Sequence, residues 1–298
     1  MPVFNGERFL EETLRSLLAQ TYSEFELVIG DNASTDRTEE ICRRFGLGDG
    51  RISYHRSPVN RGAAWNFCRA FALTRGELFK WAAYDDLCEP TFLERCVEAL
   101  DAVPEAVLAY PKSRLLDDDG MPIRDHEDHL ALGQATPHER LRALVPAVGY
   151  THPMYGVIRS QALRGTRLLG AYPSSDYVLL AELALAGPFV EVPERLFLRR
   201  IHPQMSRQAN PTPAAAAAWF RPGARTRFRA EAWRLCSEHL VAIARAPLTT
   251  RERLRCFLAF ALVGGRRYVH HLGRELAQLV LAVARPSRAP GRKTSAPA

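Results

Sequence analysis

Apolar residues follow two different periods along the first two thirds of the chain. Leu10, Leu14 and Leu17 recur at helical spacing and predict an amphipathic helix over 7–20, whereas the apolar run at 25–30 is typical of a strand. The same alternation continues downstream, with helices predicted at 36–45, 62–74, 90–102 and 176–186 and strands at 52–55, 78–83, 106–110, 190–192 and 196–199. This alternation predicts an α/β fold with a Rossmann-like, mostly parallel sheet flanked by helices.

The pattern changes after residue 213, where an alanine run is followed by long helical periods. Helices are predicted over about 225–245 and 250–283, and Thr249 with Glu252 forms a capping-box pattern before the second. The last residues are rich in proline, serine and arginine, a composition typical of disorder. The predicted organisation is a first domain over 1–205, a basic helical segment over 206–284 and a disordered tail over 285–298.

Charge is unevenly distributed along the 298 residues. The whole chain carries a formal net charge of +7, yet residues 1–203 hold 23 basic and 29 acidic residues, and residues 204–298 hold 17 basic and 4 acidic ones. The basic part is suited to phosphate groups, either of lipid headgroups or of nucleic acid. A nucleic-acid partner is not expected, because we find no recognised motif and no interleaved aromatic residues. Docking on an anionic membrane surface and packing against the first domain stay open as alternatives.

The sequence also indicates the cellular compartment of the protein. No apolar run reaches the roughly 18–20 residues that span a bilayer, and the N-terminal residues lack the basic-then-apolar character of a secretion signal. The six cysteines have spacings that suit neither a zinc site nor a disulfide framework, which fits a reducing compartment. We therefore expect a cytoplasmic protein, which docking of the basic helices would place at the inner face of the cell membrane.

Acidic residues occur at the predicted carboxyl ends of two strands. Asp31 follows the strand at 25–30, and Asp85 and Asp86 follow the strand at 78–83. In open parallel sheets, ligands bind beyond these strand ends. A carboxylate pair there suits a hard divalent cation, Mg²⁺ or Mn²⁺, that is shared with substrate phosphates. The alternative interpretation of Asp85 and Asp86 is a solvated turn that caps the following helix.

Several short motifs in order give the chain a family resemblance. They are PVFNG at 2–6, LAQT at 18–21, FELVIGDNASTDRT at 25–38, Asn60-Arg61-Gly62 and Asp85-Asp86. In this order and spacing they resemble family 2 glycosyltransferases, over about residues 1–205. The resemblance implies the GT-A fold and transfer of a sugar, with inversion, from a nucleotide-sugar donor to an acceptor hydroxyl. It also implies a divalent cation, Mg²⁺ or Mn²⁺, that stabilises the departing nucleotide diphosphate.

The resemblance assigns roles to individual residues. Asp176, at the start of a late helix, matches the general base. Asp86 matches the direct metal ligand, and His202 a further metal ligand or a phosphate contact. The donor-binding residues that the resemblance implies are Pro2, Phe4, Asp31, Ser34, Asn60, Arg61, Gly62, Asp85 and Arg200.

Within this donor set the implied contacts differ. Asp31 would hold the base or ribose, and Asp85 the ribose or sugar. Gly62 would let the backbone approach the nucleotide closely, and Arg200 would pair with the diphosphate. The default donors, UDP- and dTDP-sugars, come from the family alone.

Two departures from the family pattern qualify this interpretation. Ser175 stands where the family has a glutamate beside the base. The family also has a full strand before the PVFNG motif, whereas this sequence begins at the end of that strand, so the first strand is expected to be shortened. A shortened central strand would lose buried area and leave backbone groups unpaired.

Other functions are weighed against this one. A catalytically decayed, membrane-associated protein that binds nucleotide sugars is favoured by Ser175 and by the shortened strand. A sugar-phosphate nucleotidyltransferase would show a glycine-rich phosphate loop near its start, which this sequence does not have. For a transferase, the acceptor would be a glycan such as a cell-surface polysaccharide, a lipid-linked carrier or a small molecule. Acceptor specificity is expected in the weakly patterned region 111–175.

Overall fold

The computed structural model describes residues 1–223 and 230–284. The tail predicted over 285–298 lies outside the described residues, as do residues 224–229. Within the described ranges, two sheets with their covering helices extend to Arg200, and helices alone follow.

A three-stranded parallel sheet carries the N-terminal motifs. It consists of β1 (Pro2–Val3), β2 (Leu27–Asp31) and β3 (Ile52–Arg56), in the order β1-β2-β3. Every residue of β2 is buried, which is why Leu27 to Gly30 do not alternate with polar residues and only the last position, Asp31, is charged. The carboxyl ends of these strands lie at one edge of the sheet, as parallel pairing requires.

A mixed sheet forms the second half of this domain. Its strands are β4 (Leu78–Phe79), β5 (Leu87–Cys88), β6 (Leu108–Leu116), β7 (Pro122–His126), β8 (Val157–Arg159) and β9 (Phe189–Arg200). They lie in the order β4-β8-β6-β9-β5, and β7 pairs with the free side of β6 along its second half. The long pair β6 and β9 is parallel and the other pairs are antiparallel. The predicted α/β class is confirmed; the first sheet is parallel throughout, and the second combines one long parallel pair with antiparallel ones.

Two predicted strands differ from the observed ones. The strand expected over 78–83 is paired only at Leu78–Phe79. The strands expected at 190–192 and 196–199 are one continuous strand, β9. The polar residues between those two apolar runs lie where the register against β6 shifts beside Lys112. A bulge of this kind lets a strand continue through residues that break the apolar pattern.

Helices cover both sheets. They are α1 (Leu10–Leu18), α2 (Thr38–Gly48), α3 (Ala63–Ala72), α4 (Phe92–Ala102), α5 (Pro137–Ala147), α6 (Ser160–Arg164), α7 (Ser175–Ala186), α8 (Ser206–Ala209), α9 (Pro213–Phe220), α10 (Glu231–Arg245) and α11 (Thr250–Ala284), with a 3₁₀ helix at His152–Tyr155. In α1, the predicted stripe of Leu10, Leu14 and Leu17 is buried beside Ile29 of β2. Helix α7 is apolar on nearly all sides because it packs between α5 and α10 as well as on the core.

The first strand is short, as expected, and a cavity lies beside it. The cavity measures about 310 Å³ and is lined by Met1, by Leu27 and Val28 of β2, and by Leu78 and Phe79 of β4, among others. The amino group of Met1 is buried and donates a 2.7 Å hydrogen bond to the carbonyl oxygen of Val28. Burial lowers the pKa of this amino group to about 5. The cavity therefore lies between β2 of the first sheet and β4 of the second.

The C-terminal helices pack on the first domain. Helix α11 lies against α5 and α10, and Arg267 of α11 donates hydrogen bonds to the carbonyl oxygens of Val145 and Val148 at the end of α5. These carbonyls have no partner within their own helix, so Arg267 caps α5 from outside. The predicted capping box is confirmed, since Thr249 and Glu252 exchange backbone-to-side-chain hydrogen bonds. Of the helices that the structure describes, none combines the length and apolar character needed to cross a bilayer.

Candidate active site

A cavity of about 290 Å³ opens at the strand ends of the parallel sheet. It is lined by residues that directly follow or end strands and by residues from the segment after β9: Pro2, Val3, Phe4, Asn32, Asn60, Ala63, Asn66, Phe67, Ala83, Tyr84, Asp85, Asp86, Tyr155, Arg199, Arg200, Gln204, Met205, Ser206, Ala218 and Trp219. We call this the first cavity. It brings together six of the sequence-predicted residues, which are Pro2, Phe4, Asn60, Asp85, Asp86 and Arg200.

Asp31 lies beneath the first cavity and is fully buried. One carboxylate oxygen accepts hydrogen bonds from the backbone and hydroxyl of Ser34 at 2.9 and 2.6 Å, and the other accepts one from Tyr54 at 2.6 Å. Ser34 is buried as well, and its hydroxyl oxygen accepts from the backbone N–H of Asn5. In this arrangement Asp31 and Ser34 position the loop after β2. A direct contact with a nucleotide would require Asp31 to exchange one of these bonds.

Asn32, the residue after Asp31, faces the first cavity instead. Its side-chain nitrogen donates to Oδ1 of Asn60 at 2.8 Å, and its side-chain oxygen accepts from the backbone N–H of Arg61 at 3.0 Å. The loop that contains Asn60 is thus anchored on the loop after β2. The guanidinium of Arg61 lies over the ring of Trp65, 5.0 Å from its centroid, and does not line the cavity.

Gly62 makes a close backbone contact within the chain. Its φ of +88° belongs to the left-handed region, and a Cβ atom there would lie 2.3 Å from the carbonyl oxygen of Phe220. The close backbone approach is therefore made by the end of α9, in the chain itself. Gly62 lets this C-terminal segment cover the first cavity, to which Ala218 and Trp219 contribute.

Asp85 and Asp86 enter the first cavity from the segment between β4 and β5. Oδ1 of Asp86 accepts a 3.0 Å hydrogen bond from the backbone N–H of Arg200. Burial, and then the nearby charge of Asp85, raise the pKa of Asp86. Two carboxylates held close together at a buried position form a site that a divalent cation would stabilise.

Arg200 holds this acidic segment in place. Its guanidinium donates to the carbonyl oxygens of Asp85 and Asp118, both at 3.2 Å, and to a carboxylate oxygen of Glu12 at 2.6 Å. The side chain is buried and each guanidinium nitrogen already has a protein partner. Arg200 borders the first cavity, but its hydrogen bonds go to the protein and hold the segment that contains Asp85 and Asp86.

His202 supports Asp85 from the side. Its Nε2 lies 3.0 Å from Oδ2 of Asp85, and its Nδ1 lies 3.2 Å from Oε1 of Gln204. Burial lowers the pKa of His202, but the hydrogen bonds to Asp85 and Gln204 outweigh it and the net pKa is raised. Among the described residues, the three possible metal ligands that lie within 4.8 Å of one another are elsewhere in the chain, and His202 is placed here as a hydrogen-bond partner of Asp85.

A second cavity, of about 390 Å³, adjoins the first and contains Asp176. Asp176 lies in the first turn of α7, where its Oδ2 accepts a 2.7 Å hydrogen bond from the hydroxyl of Thr151. Burial raises the pKa of Asp176, and the bond from Thr151 partly offsets that rise. The neighbouring Ser175, which stands in place of the family's glutamate, is buried with its hydroxyl unpartnered among the described residues.

Arg199 is the charged residue that both cavities share. The other shared lining residues are Ala63, Phe67, Tyr155, Met205, Ser206 and Trp219. Among the described residues, the guanidinium of Arg199 has no hydrogen-bond or ion-pair partner, in contrast to Arg200 beside it. The sequence motifs gave neither Arg199 nor Asn32 a role of its own. The signal for both was present, since each is adjacent to a residue that the motifs do single out.

Comparison with known proteins shows the family. The sequence profile described as Glycosyl transferase family 2 matches residues 1–163. An uncharacterized glycosyltransferase of Rickettsia typhi is 30% identical over 118 residues, which are 39% of this chain and 36% of that protein. A relative from Rickettsia felis is 30% identical over 42% of this chain but only 20% of its own length. The chain thus matches about a third or less of these relatives.

Solved structures show the same fold. The crystal structure of S. aureus TarS 1-349 in complex with UDP superposes with a TM-score of 0.64 at 15% identity, covering 90% of this chain and 70% of the TarS 1-349 chain. The mannosyltransferase PcManGT of Pyrobaculum calidifontis, in complex with GDP-Man and Mn²⁺, superposes with a TM-score of 0.52 at 17% identity, covering 95% and 84%. The fold is that of the GT-A glycosyltransferases. The chain belongs to glycosyl transferase family 2.

Proposed function

We propose that the protein transfers a sugar, with inversion, from a nucleotide-sugar donor in the first cavity to an acceptor hydroxyl in the second. The observation that carries this proposal is the junction of the two cavities. An acidic pair, Asp85 and Asp86, stands on one side of it and a carboxylate at a helix start, Asp176, on the other. An in-line displacement needs this separation between the leaving group and the base.

On the donor side, the nucleotide would lie between the ends of β1, β2 and β3. Pro2 and Phe4 offer apolar contact to a base, and Asn32 and Asn60 offer polar groups beside it. UDP- and dTDP-sugars are the proposed donors. TarS bound to UDP and to UDP-GlcNAc, and PcManGT bound to GDP-Man, support a nucleotide sugar in general.

A divalent cation, Mg²⁺ or Mn²⁺, is proposed at Asp86, with Asp85 and His202 beside it. Such an ion stabilises the negative charge that develops on a departing diphosphate. Within the chain, Arg200 and its bond to Glu12 hold the two carboxylates in position. We assign the direct contact with the diphosphate to Arg199, because it borders both cavities and its guanidinium lies over the ring of Tyr155, 5.9 Å from the centroid, without a hydrogen-bond or ion-pair partner among the described residues.

Asp176 is proposed as the general base. Its raised pKa makes the ionised carboxylate a stronger base, and the hydroxyl of Thr151 keeps it oriented. Tyr150, Trp219 and Phe220 give the second cavity an aromatic lining that suits the face of a sugar ring or an apolar carrier. The proposed acceptor is a glycan, a lipid-linked carrier or a small molecule.

Variants of Asp176 and Asp86 test this function together with a panel of donors. The panel consists of UDP-glucose, UDP-GlcNAc, dTDP-glucose and GDP-mannose, each with Mn²⁺. We expect one donor to be hydrolysed or transferred, and Asp176→Asn to lower turnover by about 10²–10⁴-fold while donor binding is retained. Asp86→Ala should weaken metal-dependent binding itself. Donor binding without turnover in the wild type would instead support the catalytically decayed alternative.

A membrane surface is proposed as the partner of α11. The helix buries one face and exposes the other, where Leu254, Leu258, Leu262, Val269 and Leu276 form a stripe, each at least half exposed. Arg251, Arg255 and Arg266 are exposed on the same side. Apolar residues flanked by arginines fit an interface of anionic lipid, in which the leucines insert and the arginines meet phosphate groups. Charge favours lipid over a second copy, whose own arginines would be repelled.

Vesicle binding tests this docking. We expect the protein to sediment with phosphatidylglycerol-containing vesicles and not with phosphatidylcholine vesicles, and binding to weaken as salt rises. Replacing Leu254, Leu258 and Leu262 with serine should abolish binding, whereas Leu47→Ser, at an exposed leucine on α2, should not change it. Equal binding to neutral vesicles, or self-association through the stripe in place of vesicle binding, would overturn the proposal.

A further inference from the structure

Two histidines and an aspartate lie close together beside β6, on the side where β7 pairs with it. The segment with Asp85 and Asp86 lies on the other side, beyond β9. His126 ends β7, Asp128 follows two positions later, and His152 begins the 3₁₀ helix. One ligand atom from each residue lies within 4.8 Å of the others. Nε2 of His126 is 3.5 Å from Oδ1 of Asp128, and Nδ1 of His152 is 3.1 Å from Oδ2 of the same carboxylate. We call these three residues the His–Asp–His cluster.

The cluster is buried and incompletely satisfied. Asp128 is 8% exposed and His152 is 2% exposed. Oδ1 of Asp128 and Nε2 of His152 are buried without a hydrogen-bond partner among the described residues. Across those same residues, the ion-pair contacts of Asp128 are to the two histidines and not to a lysine or arginine. Burying a carboxylate without a fixed cation beside it raises the free energy of the folded state, and burying an unpartnered ring nitrogen does the same.

The three side chains offer the ligand atoms that transition metals prefer. Zinc binds imidazole nitrogen and carboxylate oxygen at about 2.0–2.2 Å, which places tetrahedral ligands roughly 3.3–3.5 Å apart. The 3.5 Å between His126 and Asp128 already meets that spacing. Magnesium and calcium prefer oxygen ligands. The hydroxyl of Ser113, 2.7 Å from Nδ1 of His152 and 3.4 Å from Oδ2 of Asp128, provides the outer hydrogen bonds that orient metal ligands.

We propose that His126, Asp128 and His152 bind a Zn²⁺-class ion, separate from any cation held by Asp85 and Asp86. The ion would join the end of β7 to the 3₁₀ helix. The adjoining residues face the second cavity, since Tyr150 stacks on His152 at 5.2 Å and Thr151 bonds to Asp176. The ion therefore fixes one wall of that cavity. Its binding does not depend on the proposed transferase function.

Cobalt substitution tests the site by spectroscopy. Chelator-treated protein is titrated with Co²⁺, whose tetrahedral complexes with nitrogen ligands absorb far more strongly in the visible than octahedral oxygen-bound Co²⁺ does. We expect one strongly absorbing Co²⁺ per chain, displaced by Zn²⁺. His126→Ala should lose this absorption. His129→Ala, at an exposed histidine of the same segment, should retain it, and so should Asp86→Ala.

Thermal denaturation gives a second readout that needs no nucleotide. Zn²⁺ should raise the unfolding midpoint of the wild type and of His129→Ala, but not that of His126→Ala. His126 is at the edge of the cluster and less buried than its partners, so its variant should still fold. Absence of the absorption in folded wild type, or its persistence in His126→Ala, would overturn the proposal. Loss of the absorption in Asp86→Ala would assign the ion to the donor site instead.

Discussion

The hydroxyl of Thr151 donates a 2.7 Å hydrogen bond to Oδ2 of Asp176. This bond joins the first turn of α7 to the segment that leads into the 3₁₀ helix. It favours the ionised form of a carboxyl whose pKa burial raises. The pH range in which Asp176 is ionised therefore depends on a residue 25 positions away in sequence.

Removing this hydroxyl should shift the pH dependence of turnover. A hydrogen bond to a charged group contributes about 1.5–3 kcal/mol, equivalent to roughly one to two pKa units. Thr151→Val would raise the pKa of Asp176 further, so the basic form would persist only at higher pH. We expect the acidic limb of kcat/KM to move upward by about one unit, and Thr151→Ser to leave it in place. An acidic limb unmoved by Thr151→Val would argue that another group titrates.

Adjacent arginines should give opposite phenotypes. Arg200→Ala removes three hydrogen bonds around the acidic segment and should lower the free energy of unfolding by about 2–4 kcal/mol. Arg199→Ala should leave stability nearly unchanged but weaken UDP binding, with little effect on uridine, which has no phosphate. Denaturant melts and calorimetry on both variants check this. If Arg200→Ala were fully stable and yet bound UDP more weakly, Arg200 and not Arg199 would be the residue that contacts the diphosphate.

Gly62 should be required for closure of the C-terminal segment. Gly62→Ala would place a Cβ against the carbonyl oxygen of Phe220 and strain a backbone with φ of +88°. With ψ at 164°, this backbone lies in a region that essentially only glycine adopts, so the strain alone costs on the order of 1–3 kcal/mol. Displacement of α9 should expose residues 204–223 to limited proteolysis. Gly50→Ala, where a Cβ would meet nothing within 4 Å, is the matched control. Equal cleavage in both variants would show that α9 tolerates the added atom.

Filling the cavity beside Met1 should stabilise the protein. An N-terminal extension of roughly eight strand-forming apolar residues would lengthen β1 between β2 and β4, and we expect a higher melting temperature than for a Gly/Ser extension of equal length. Equal melting temperatures would contradict this account of the gap between the sheets.

The buried amino group of Met1 adds a pH dependence to the same comparison. Its pKa is lowered to about 5, so between pH 5 and pH 8 the unfolded chain binds more protons than the folded one. The stability of the chain that begins at Met1 should therefore rise with pH across this window, by up to about 4 kcal/mol. The apolar extension removes that amine and should flatten the slope. Denaturant unfolding at several pH values measures both.

The first cavity contains part of the residue set expected from sequence, although β4 ends at Phe79 and not directly before Asp85. Asp85 and Asp86 were expected at a strand end, and the structure places them in the first cavity with Pro2, Phe4 and Asn60. The distinction between Arg199 and Arg200 could not be predicted. Neighbouring residues of a strand point to opposite faces, and the face depends on the register of β9, which shifts at Lys112 on its partner strand.

The His–Asp–His cluster illustrates a second limit. The sequence does not link His126 with His152, because they are far apart along the chain and no metal-ligand spacing connects them. Asp128 joins them only after β7 has paired with β6 and the 3₁₀ helix has packed beside both. A His-x-Asp pair on one face of a strand end is the local signal, and it is too common to carry a prediction alone.

Calorimetric titration of UDP, dTDP and GDP, with and without Mn²⁺, tests the central claim most directly. The account predicts that one nucleotide binds in a metal-dependent manner, that Asp86→Ala and Arg199→Ala weaken this binding, and that Asp176→Asn does not. Absence of binding by all three nucleotides to protein shown to be folded would contradict the assignment of the first cavity to a nucleotide-sugar donor.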